Sequence, residues 1–462
     1  MTKRQIILIL LLALAVRFAY HQMVPAFDGS YDNGSDSGKY IVVANSILEY
    51  GEAVRVIDGE AHPDFGRMPL YPHFIAALFR LSEGENLAVV TAVQAIISAF
   101  TVLAVGWIAG ALDRRWMLPA ALFASVWPAF VVYTAWVLTD SLFIDFFTWG
   151  LCACIWAAKG ERPLALLGAA GLAFGLALMI RPVLMFFPYL LVPALAYMFV
   201  AGRGMSWPRA AAYGLVPVAI MLAMLAPRLV ATYGEYGVAV VTTQSGNHAL
   251  ELVYPCLRDQ PDCDRESVNN RRFEMVASAL DELSDDDRSN PVIVDAIERD
   301  VALRLLADVP PSIFALAVAS SALRSITQTM LYEVGEQLNQ APRFFSSVAG
   351  TTIAERVGTF AGIVLGDGFM MIWMLAQALV LLALPVQIIG LTTGFRASSQ
   401  RPVTSFLVIT AGYFLAINMS FGSPKYGLPL NPAAIVFLVG GMQAILEWRR
   451  HRVRHRLEPG VS

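Results

Sequence analysis

The chain has 462 residues, of which 57% are apolar and only 15% are charged, and its mean hydropathy is +0.58. This balance excludes an ordinary soluble globular protein, a disordered chain, a coiled coil and a small disulfide scaffold. The apolar runs are continuous and do not alternate with a period of two, which also excludes a transmembrane β-barrel.

The net charge of −3 hides a separation of acidic and basic residues along the chain. Residues 21–86 carry 10 acidic and 4 basic side chains, and residues 233–310 carry 16 and 7, whereas the remainder of the chain is basic. Lys and Arg in short loops mark the cytoplasmic side of a membrane, while long loops translocate largely regardless of charge. We therefore expect the two long acidic regions outside and the short basic connections inside.

Ten apolar runs are long enough to cross a hydrocarbon core of about 30 Å as helices. They lie near residues 5–20, 87–111, 116–135, 141–158, 163–180, 183–201, 210–232, 368–394, 403–421 and 431–448. An even number of spans places both termini on one side, and the basic termini and short loops indicate that this side is the cytoplasm. The first run starts like a signal peptide but lacks an A-x-A-like cleavage site before His21, so we interpret it as a retained span.

The spans divide the chain into three parts. Residues 1–232 form an N-terminal transmembrane module, residues 233–366 a helical external loop domain, and residues 367–462 a C-terminal transmembrane module with a basic cytoplasmic tail. Residues 311–331 are apolar but contain Arg324. We interpret them as an interfacial or partly inserted helix, because a full crossing would reverse the last three spans and place the basic tail outside.

The first external region, residues 21–86, is the most informative stretch for chemistry. Asp28, Asp32 and Asp36 recur at four-residue spacing, and Asp36 opens an amphipathic pattern that predicts a helix ending at Gly51. A helix cap alone would explain an Asp at this position.

Downstream, the sequence "HPDFGRMPLYPHFIAALF" places Arg67 and Tyr71 in a proline-stiffened segment that returns to the membrane surface. A guanidinium and the Asp36 carboxylate at a water–lipid boundary suit a lipid-phosphate substrate, since the first binds phosphate oxygens and the second acts on a hydroxyl.

Several motifs in a fixed order carry a family resemblance. They are "SDSGKYIVVANSILEYGE", "FGRMPLYPHFIAALF", "AVQAIISAFTVLAVGWIAGAL", "WVLTDSLFIDFF", "ALMIRPVLMFFP" and "GSPKYGLPLNPAAIVFLVGG". Together they resemble the GT-C superfamily of polyprenyl-phosphate-sugar-dependent glycosyltransferases, and are most similar to the bacterial lipid A aminoarabinose transferases and protein O-mannosyltransferases. The resemblance covers most of the chain and is weak in the external loop.

The resemblance implies an all-α polytopic helical bundle of about ten transmembrane helices with external juxtamembrane helices. It also implies that Asp36 is the catalytic base, or a metal ligand in metal-using members, and that Arg67 lies near the donor phosphate. Where relatives often have a second adjacent carboxylate, this chain has Ser37. A divalent cation would therefore need Asp32 or Asp140 as a further ligand, and no metal is assigned.

Two charged residues at the ends of later spans are further candidates for substrate contacts. Arg181 in "MIRPV" lies between two apolar spans, where a charge is costly unless it is paired or snorkels to the interface. Asp140 opens the fourth span, where capping by Thr139 and Asp140 is the alternative explanation. Asp145, one turn deeper, is ionisable within a span and is a functional candidate by default.

The remaining candidates come from both halves of the chain. Lys425 and Tyr426 lie in an external turn where the superfamily commonly has Arg-Tyr, and the alternative role is an interfacial anchor. Asp32, Tyr40 and Tyr71 complete the predicted substrate-binding set. Cys256 and Cys263 in the external loop suit a disulfide in an oxidising compartment better than a zinc site.

The sequence thus predicts a hexosyl or pentosyl transferase of the cytoplasmic membrane. It would move a sugar from a polyprenyl-phosphate donor to an external glycolipid, polysaccharide or protein, with inversion and with Asp36 as general base. Expected partners are the donor, membrane lipids and the acceptor, with no nucleic acid. The alternatives are a secondary transporter or lipid-linked-sugar flippase, which would concentrate polar groups near the bilayer midplane, and a non-catalytic scaffold.

Overall fold

The computed structural model describes residues 1–24, 36–57, 59–258, 265–327, 329–337 and 352–457, and 82% of these described residues are helical. The N-terminal helices are α1 (Lys3–Met23), α2 (Asp36–Tyr50), α3 (Leu70–Leu81), α4 (Leu87–Leu112), α5 (Met117–Val126), α6 (Pro128–Val132), α7 (Thr139–Lys159), α8 (Pro163–Ile180), α9 (Phe187–Arg203) and α10 (Trp207–Tyr236). Between α2 and α3, strands β1 (Val54–Ile57) and β2 (Glu60–Pro63) pair in an antiparallel hairpin.

The second half of the chain is also helical. Its elements are α11 (Ser245–Arg258), α12 (Arg265–Asp281), α13 (Asp285–Ser289), α14 (Pro291–Ala307), α15 (Pro311–Thr327), α16 (Leu331–Gln337), α17 (Ile353–Gly366), α18 (Gly368–Arg396), α19 (Arg401–Ile417) and α20 (Asn431–Leu457).

All ten apolar runs predicted as spans fall on helices, which confirms an all-α, multi-pass membrane protein. Among the described residues, seven helices are long and apolar enough to cross a membrane, and two bent pairs raise the number to as many as nine. The run at 116–135 is one of these pairs, because α5 and α6 meet at an angle of 53°. Helices α9 and α19 have 17 residues each, so both fall just short of a full-length span.

The stretch 311–331 contains α15, which turns by 112° from the preceding α14. Helix α15 packs on α11, α18 and α19. A Cβ on Gly422 would collide with the backbone of Ser321, and a Cβ on Gly427 with that of Ser325, so α15 lies directly against the connection between α19 and α20. The interfacial interpretation remains a prediction with which this sharp turn agrees.

Close helix packing depends on small residues, as expected where lipid competes with side chains for helix surfaces. Gly390 on α18 and Gly441 on α20 each lack room for a Cβ, which would collide with the backbone of Phe437 and Val386, respectively. The innermost helices are α4 and α7, whose apolar side chains join those of α8 and α9 in one buried core.

Arg17 ties the first span to this core. Its fully buried guanidinium donates to the Ser98 hydroxyl at 3.0 and 3.2 Å and to the carbonyl oxygens of Ala13, Ser98 and Ser125 at 3.0–3.3 Å. A charge inside a span is tolerated when its donors are satisfied in this way. Arg17 therefore fixes α1 against α4 and α5.

Helices α11, α12, α14 and α15 have their own small core, centred on Leu250, Val301 and Leu305. Asp295 on α14 joins α11 to it, since its carboxylate accepts hydrogen bonds from the Ser245 hydroxyl at 2.6 Å and the Gly246 amide at 2.7 Å. The boundaries of the three predicted parts of the chain stay predictions.

Candidate active site

Helix α2 supplies Asp36 to the candidate site. The helix begins at Asp36 and ends at Tyr50, before Gly51 with its left-handed φ of +83°, as the sequence pattern predicts. Its buried face, including Tyr40 and Ala44, packs against α3. The Asp36 side chain stays 50% exposed, so the carboxylate is accessible to a substrate.

Arg67 reaches Asp36 from the segment that follows the hairpin. Its Nη2 lies 3.4 Å from Asp36 Oδ1, and its Nη1 donates to the Tyr40 hydroxyl at 3.4 Å. The guanidinium carbon also lies 4.9 Å from the centroid of the Tyr40 ring, within the range of a cation–π contact. The sequence-predicted pair Asp36 and Arg67 therefore meets in the structure, with Tyr40 beside it.

Tyr71 packs against Tyr40 on its buried side. It is fully buried, packs edge-on against Tyr40 at 5.1 Å between ring centroids, and donates from its hydroxyl to Gln94 Oε1 at 2.7 Å. Gln94 in turn donates to the carbonyl oxygens of Thr134 and Trp136. A fully buried Tyr71 presents no surface to a ligand, so its position favours support of Tyr40 over the direct substrate contact that we predicted.

Asp140 and Arg181 form a second ion pair at the same end of the bundle. Asp140 lies in the first turn of α7 with a side chain that is only 1% exposed, and Arg181 ends α8, where Pro182 follows it. The Arg181 guanidinium donates to Asp140 Oδ1 and lies 5.7 Å from the Phe143 ring centroid. A buried carboxylate needs such a partner, because an unpaired one would be strongly destabilising.

Lys425 joins the two pairs. Its ammonium lies 3.6 Å from Asp36 Oδ2 and 3.9 Å from Asp140 Oδ2, and its side chain is 24% exposed. The result is an alternating series of positive and negative side chains, Arg67, Asp36, Lys425, Asp140 and Arg181, which we call the charge chain. Five residues that are remote in sequence thus converge on one place.

The charge chain sets the ionisation of its exposed members. Burial acts to raise the pKa of the Asp36 carboxyl, but Lys425, Arg67 and Lys39 more than offset it, so this pKa lies below its usual value. The carboxylates of Asp140 and Asp36 raise the pKa of Lys425 against the effects of burial and Arg181. Asp36 is therefore an anion and Lys425 a cation at neutral pH.

Tyr426 also lies at the charge chain, where Arg181, Lys425, Asp140 and Asp36 are close enough for their charges to act on its phenol. Its backbone oxygen accepts a hydrogen bond from Asn418 at 3.0 Å. Asp145 is fully buried and lies near Arg17 and Thr101, away from the charge chain. Asp32, Cys263 and the side chain of Cys256 lie outside the described residues, so the predicted disulfide stays a prediction.

The described residues do not fit a divalent cation held by Asp36 and Asp140. The Lys425 ammonium already lies within 4 Å of both carboxylates, where it supplies the positive charge that a metal ion would bring. In the described ranges no three His, Cys, Asp or Glu side chains are grouped as a metal site would require.

His248, which the histidine spacing of the sequence discounts as a zinc ligand, lies in the first turn of α11. Partial loss of solvent, followed by the positive charges of Arg181 and Arg67, lowers its pKa, while Asp36 acts in the opposite direction. His248 is therefore neutral at pH 7, and it lies close enough to the charge chain for the charges of Arg181, Arg67 and Asp36 to shift its pKa. Spacing between histidines could not reveal it, because its neighbours come from distant segments.

A family model described as dolichyl-phosphate-mannose-protein mannosyltransferase matches residues 61–230. None of the curated protein sequences matches the chain significantly. The match covers Arg67, Asp140 and Arg181 and ends before Lys425.

Solved structures extend the likeness over the whole chain. The archaeal oligosaccharyltransferase AglB from Archaeoglobus fulgidus, in complex with an inhibitory peptide and a dolichol-phosphate, superposes with a TM-score of 0.55 at 14% identity and covers 99% of this chain. The chain has the GT-C fold. This is the fold that the resemblance drawn from the sequence motifs implies. The apo form of the same enzyme gives a TM-score of 0.55 at 13% identity and covers all of this chain.

The chain spans about half the length of the AglB chains that it matches, 52% and 53%. ArnT from Cupriavidus metallidurans, bound to undecaprenyl phosphate, is a weaker structural match, with a TM-score of 0.37 at 14% identity, covering 96% of this chain and 78% of ArnT.

Proposed function

We propose that this protein transfers a sugar from a polyprenyl-phosphate-linked donor to an acceptor hydroxyl on the outer side of the cytoplasmic membrane, with both termini in the cytoplasm. The observation that carries the proposal is the charge chain, which presents three cations and two carboxylates at one end of a GT-C helical bundle. The AglB structure that the chain resembles contains a dolichol-phosphate, a lipid of the proposed carrier class.

The net charge of the charge chain suits a phosphodiester. Three cations against two carboxylates leave one positive charge, which balances the single negative charge of a sugar-phosphate-polyprenyl donor. When the bond between the sugar C1 and the phosphate oxygen breaks, its electron pair stays on the phosphate, which gains a second negative charge. Fixed cations that face this developing charge stabilise the transition state more than the ground state.

Asp36 is the proposed general base. It is ionised at neutral pH and half exposed, so it is able to accept the proton of an acceptor hydroxyl as the acceptor oxygen bonds to C1. Attack on the face opposite to the phosphate inverts the anomeric centre. A carboxylate with a lowered pKa is a weak base, but a donor phosphate that engages Arg67 and Lys425 would weaken their hold on Asp36 and raise its basicity.

The test is a transfer assay with purified protein in lipid nanodiscs. The protein is incubated with a panel of polyprenyl-phospho-sugars and candidate acceptors, and release of polyprenyl phosphate is measured by mass spectrometry. We expect release that depends on both an acceptor and a matching sugar. A parallel assay with the protein in lipid vesicles follows the donor across the membrane, and movement of the donor without cleavage would instead support a flippase.

Asp36→Asn is the decisive variant because it keeps the size of the side chain and removes the base. We expect transfer to fall by a factor of about 100 to 10,000, the usual contribution of a general base. Folding and affinity for polyprenyl phosphate should be largely retained. Near-normal turnover by this variant would remove Asp36 from the catalytic role.

A further inference from the structure

Arg228 is a buried charged residue that the mechanism above does not use. It lies on α10 directly after Pro227, inside the run predicted to span the membrane, and is only 7% exposed. Its Nε donates to the carbonyl oxygen of Val241 and its Nη2 to that of Phe65, both at 2.6 Å. The guanidinium carbon also lies 5.4 Å from the centroid of the Phe65 ring. An arginine held in this way inside a span points to a specific role.

The two carbonyl groups belong to segments that are far apart in sequence. Residues 64–67 end in Arg67 of the charge chain, and residues 238–244 connect α10 to α11. The Thr243 amide donates to Phe65 O at 3.3 Å, and the Thr242 hydroxyl donates to Gly66 O at 2.8 Å. Arg228 therefore lies behind a small backbone junction that ends one residue before Arg67.

The position of Arg67 depends on this junction. Its contacts with Asp36 and with Tyr40 are both at 3.4 Å, close to the limit for a hydrogen bond, so a small shift of the backbone would break them. Misplacement of a reacting or binding group by about 1 Å can cost a factor of about 100 in rate.

We propose that Arg228 is a positioning residue for Arg67. It fixes residues 64–67 against residues 238–244, so that the Arg67 guanidinium is held ready for the donor phosphate. This inference rests on the proposed function, since it gives Arg67 the role of a phosphate contact. The Arg228 hydrogen bonds go to the backbone carbonyl oxygens of Val241 and Phe65, so Arg228 acts on Arg67 through the backbone of residues 64–67.

A double-mutant cycle separates this role from a general contribution to folding. The variants are Arg228→Met, Arg67→Ala and the combination, and the readouts are kcat/KM for the donor and Kd for polyprenyl phosphate. We expect Arg228→Met to lower kcat/KM by about 10- to 100-fold in the wild-type background. In the Arg67→Ala background the same change should cost less than about twofold, because the group that Arg228 positions is already gone.

Two further variants sharpen the result. Arg228→Lys keeps the charge but replaces a fork that reaches two carbonyl groups with a single ammonium, so we expect an intermediate loss. Arg209→Met serves as the matched control, because Arg209 is an exposed arginine at the opposite end of the same helix and should leave transfer unchanged.

Equal losses from Arg228→Met in both backgrounds would overturn the proposal, since they would show that Arg228 acts independently of Arg67. If Arg228→Met does not fold, Thr242→Val replaces it in the cycle. That variant removes only the hydrogen bonds of the Thr242 hydroxyl, and the same comparison with Arg67→Ala decides the question.

The outcome also separates this inference from the proposed function. A wild-type protein that transfers sugar but shows an additive cycle refutes the positioning role alone. A wild-type protein that neither binds polyprenyl phosphate nor releases it from any donor refutes both.

Discussion

Lys425→Met is the sharpest test of the charge chain, because Lys425 is the link between its two carboxylates. The substitution keeps an unbranched side chain of similar length and removes the positive charge that lies 3.6 Å from Asp36 Oδ2. Arg67 remains as the other close cation of Asp36. The pKa of Asp36 should therefore rise, while the fold around it is kept.

The size of the effect follows from the distance. Two unit charges 3.6 Å apart interact with about 1 kcal/mol at the dielectric constant of water and with about 4–5 kcal/mol at an effective value of 20. Asp36 is half exposed, so solvent screening favours the lower part of this range, about 1–2 kcal/mol. At about 1.4 kcal/mol for each pKa unit, the expected shift is about one pH unit.

The direction follows from the role of Asp36. A general base works when it is ionised, so the rate is full at neutral pH and falls as the pH drops through the pKa of the base. In the wild-type protein this pKa is lowered, which places the fall below the usual range of an aspartate. Without Lys425 the fall should begin at a pH about one unit higher.

The measurement is kcat/KM for the donor as a function of pH in nanodiscs, since this quantity reports the pKa of the enzyme before a donor phosphate engages Lys425 and Arg67. Lys39→Met is the matched control. Lys39 is exposed and contributes less than Lys425 to the lowered pKa of Asp36, so its removal should shift the acidic limb only slightly. An acidic limb that stays in place in Lys425→Met would show that Asp36 is not the titrating base, whatever happens to the maximal rate.

Two further predictions concern stability. Asp140→Asn should destabilise the protein by about 3 kcal/mol, because it leaves the mostly buried Arg181 without its partner. Asp140→Asn combined with Arg181→Met should cost less than Asp140→Asn alone. Chemical unfolding in detergent measures the stability of both variants, and a double variant that is no more stable than the single one would contradict the pairing. Gly246→Ala should destabilise the packing of α11 on α14 by about 1–3 kcal/mol, since its Cβ would lie 2.6 Å from Glu298 Cβ and collide with the backbone of Asp295. Limited proteolysis of α11–α14 tests this second prediction, and an unchanged cleavage rate would show that the contact between α11 and α14 is able to relax.

The membrane helices and the outline of the site were predictable from the sequence. Every backbone polar group in lipid must be satisfied within its own helix, so a run of apolar residues specifies a span almost by itself. Charged residues at the ends of such runs are equally visible, and Asp140 and Arg181 were found in this way. Asp36 was found from the amphipathic pattern that it opens, and Lys425 from the family resemblance. The amphipathic helix from Asp36 was marked by its own pattern and by Gly51 at its end.

The supporting residues were not predictable, for a physical reason. Arg17 and Arg228 lie inside apolar runs, and their partners are mainly backbone carbonyl groups, which every residue carries and no sequence pattern marks. Tyr71 shows the same limit. The sequence predicts Tyr71 as a substrate contact in the returning segment. The rotation of α3 about its axis buries Tyr71 against Gln94, and this rotation depends on packing with α4.

The origin of Lys425 explains why the site needs both ends of the chain. Asp36 and Asp140 lie on α2 and α7, and two carboxylates so close to one ammonium would repel each other without it. The cation lies on the connection between α19 and α20, and this connection approaches α15 closely only because Gly422 and Gly427 carry no Cβ. Helix α15 thus supports the segment that supplies the central cation. The charge chain is complete only when the helices of the first half of the chain, helix α15 and helices α19 and α20 have docked.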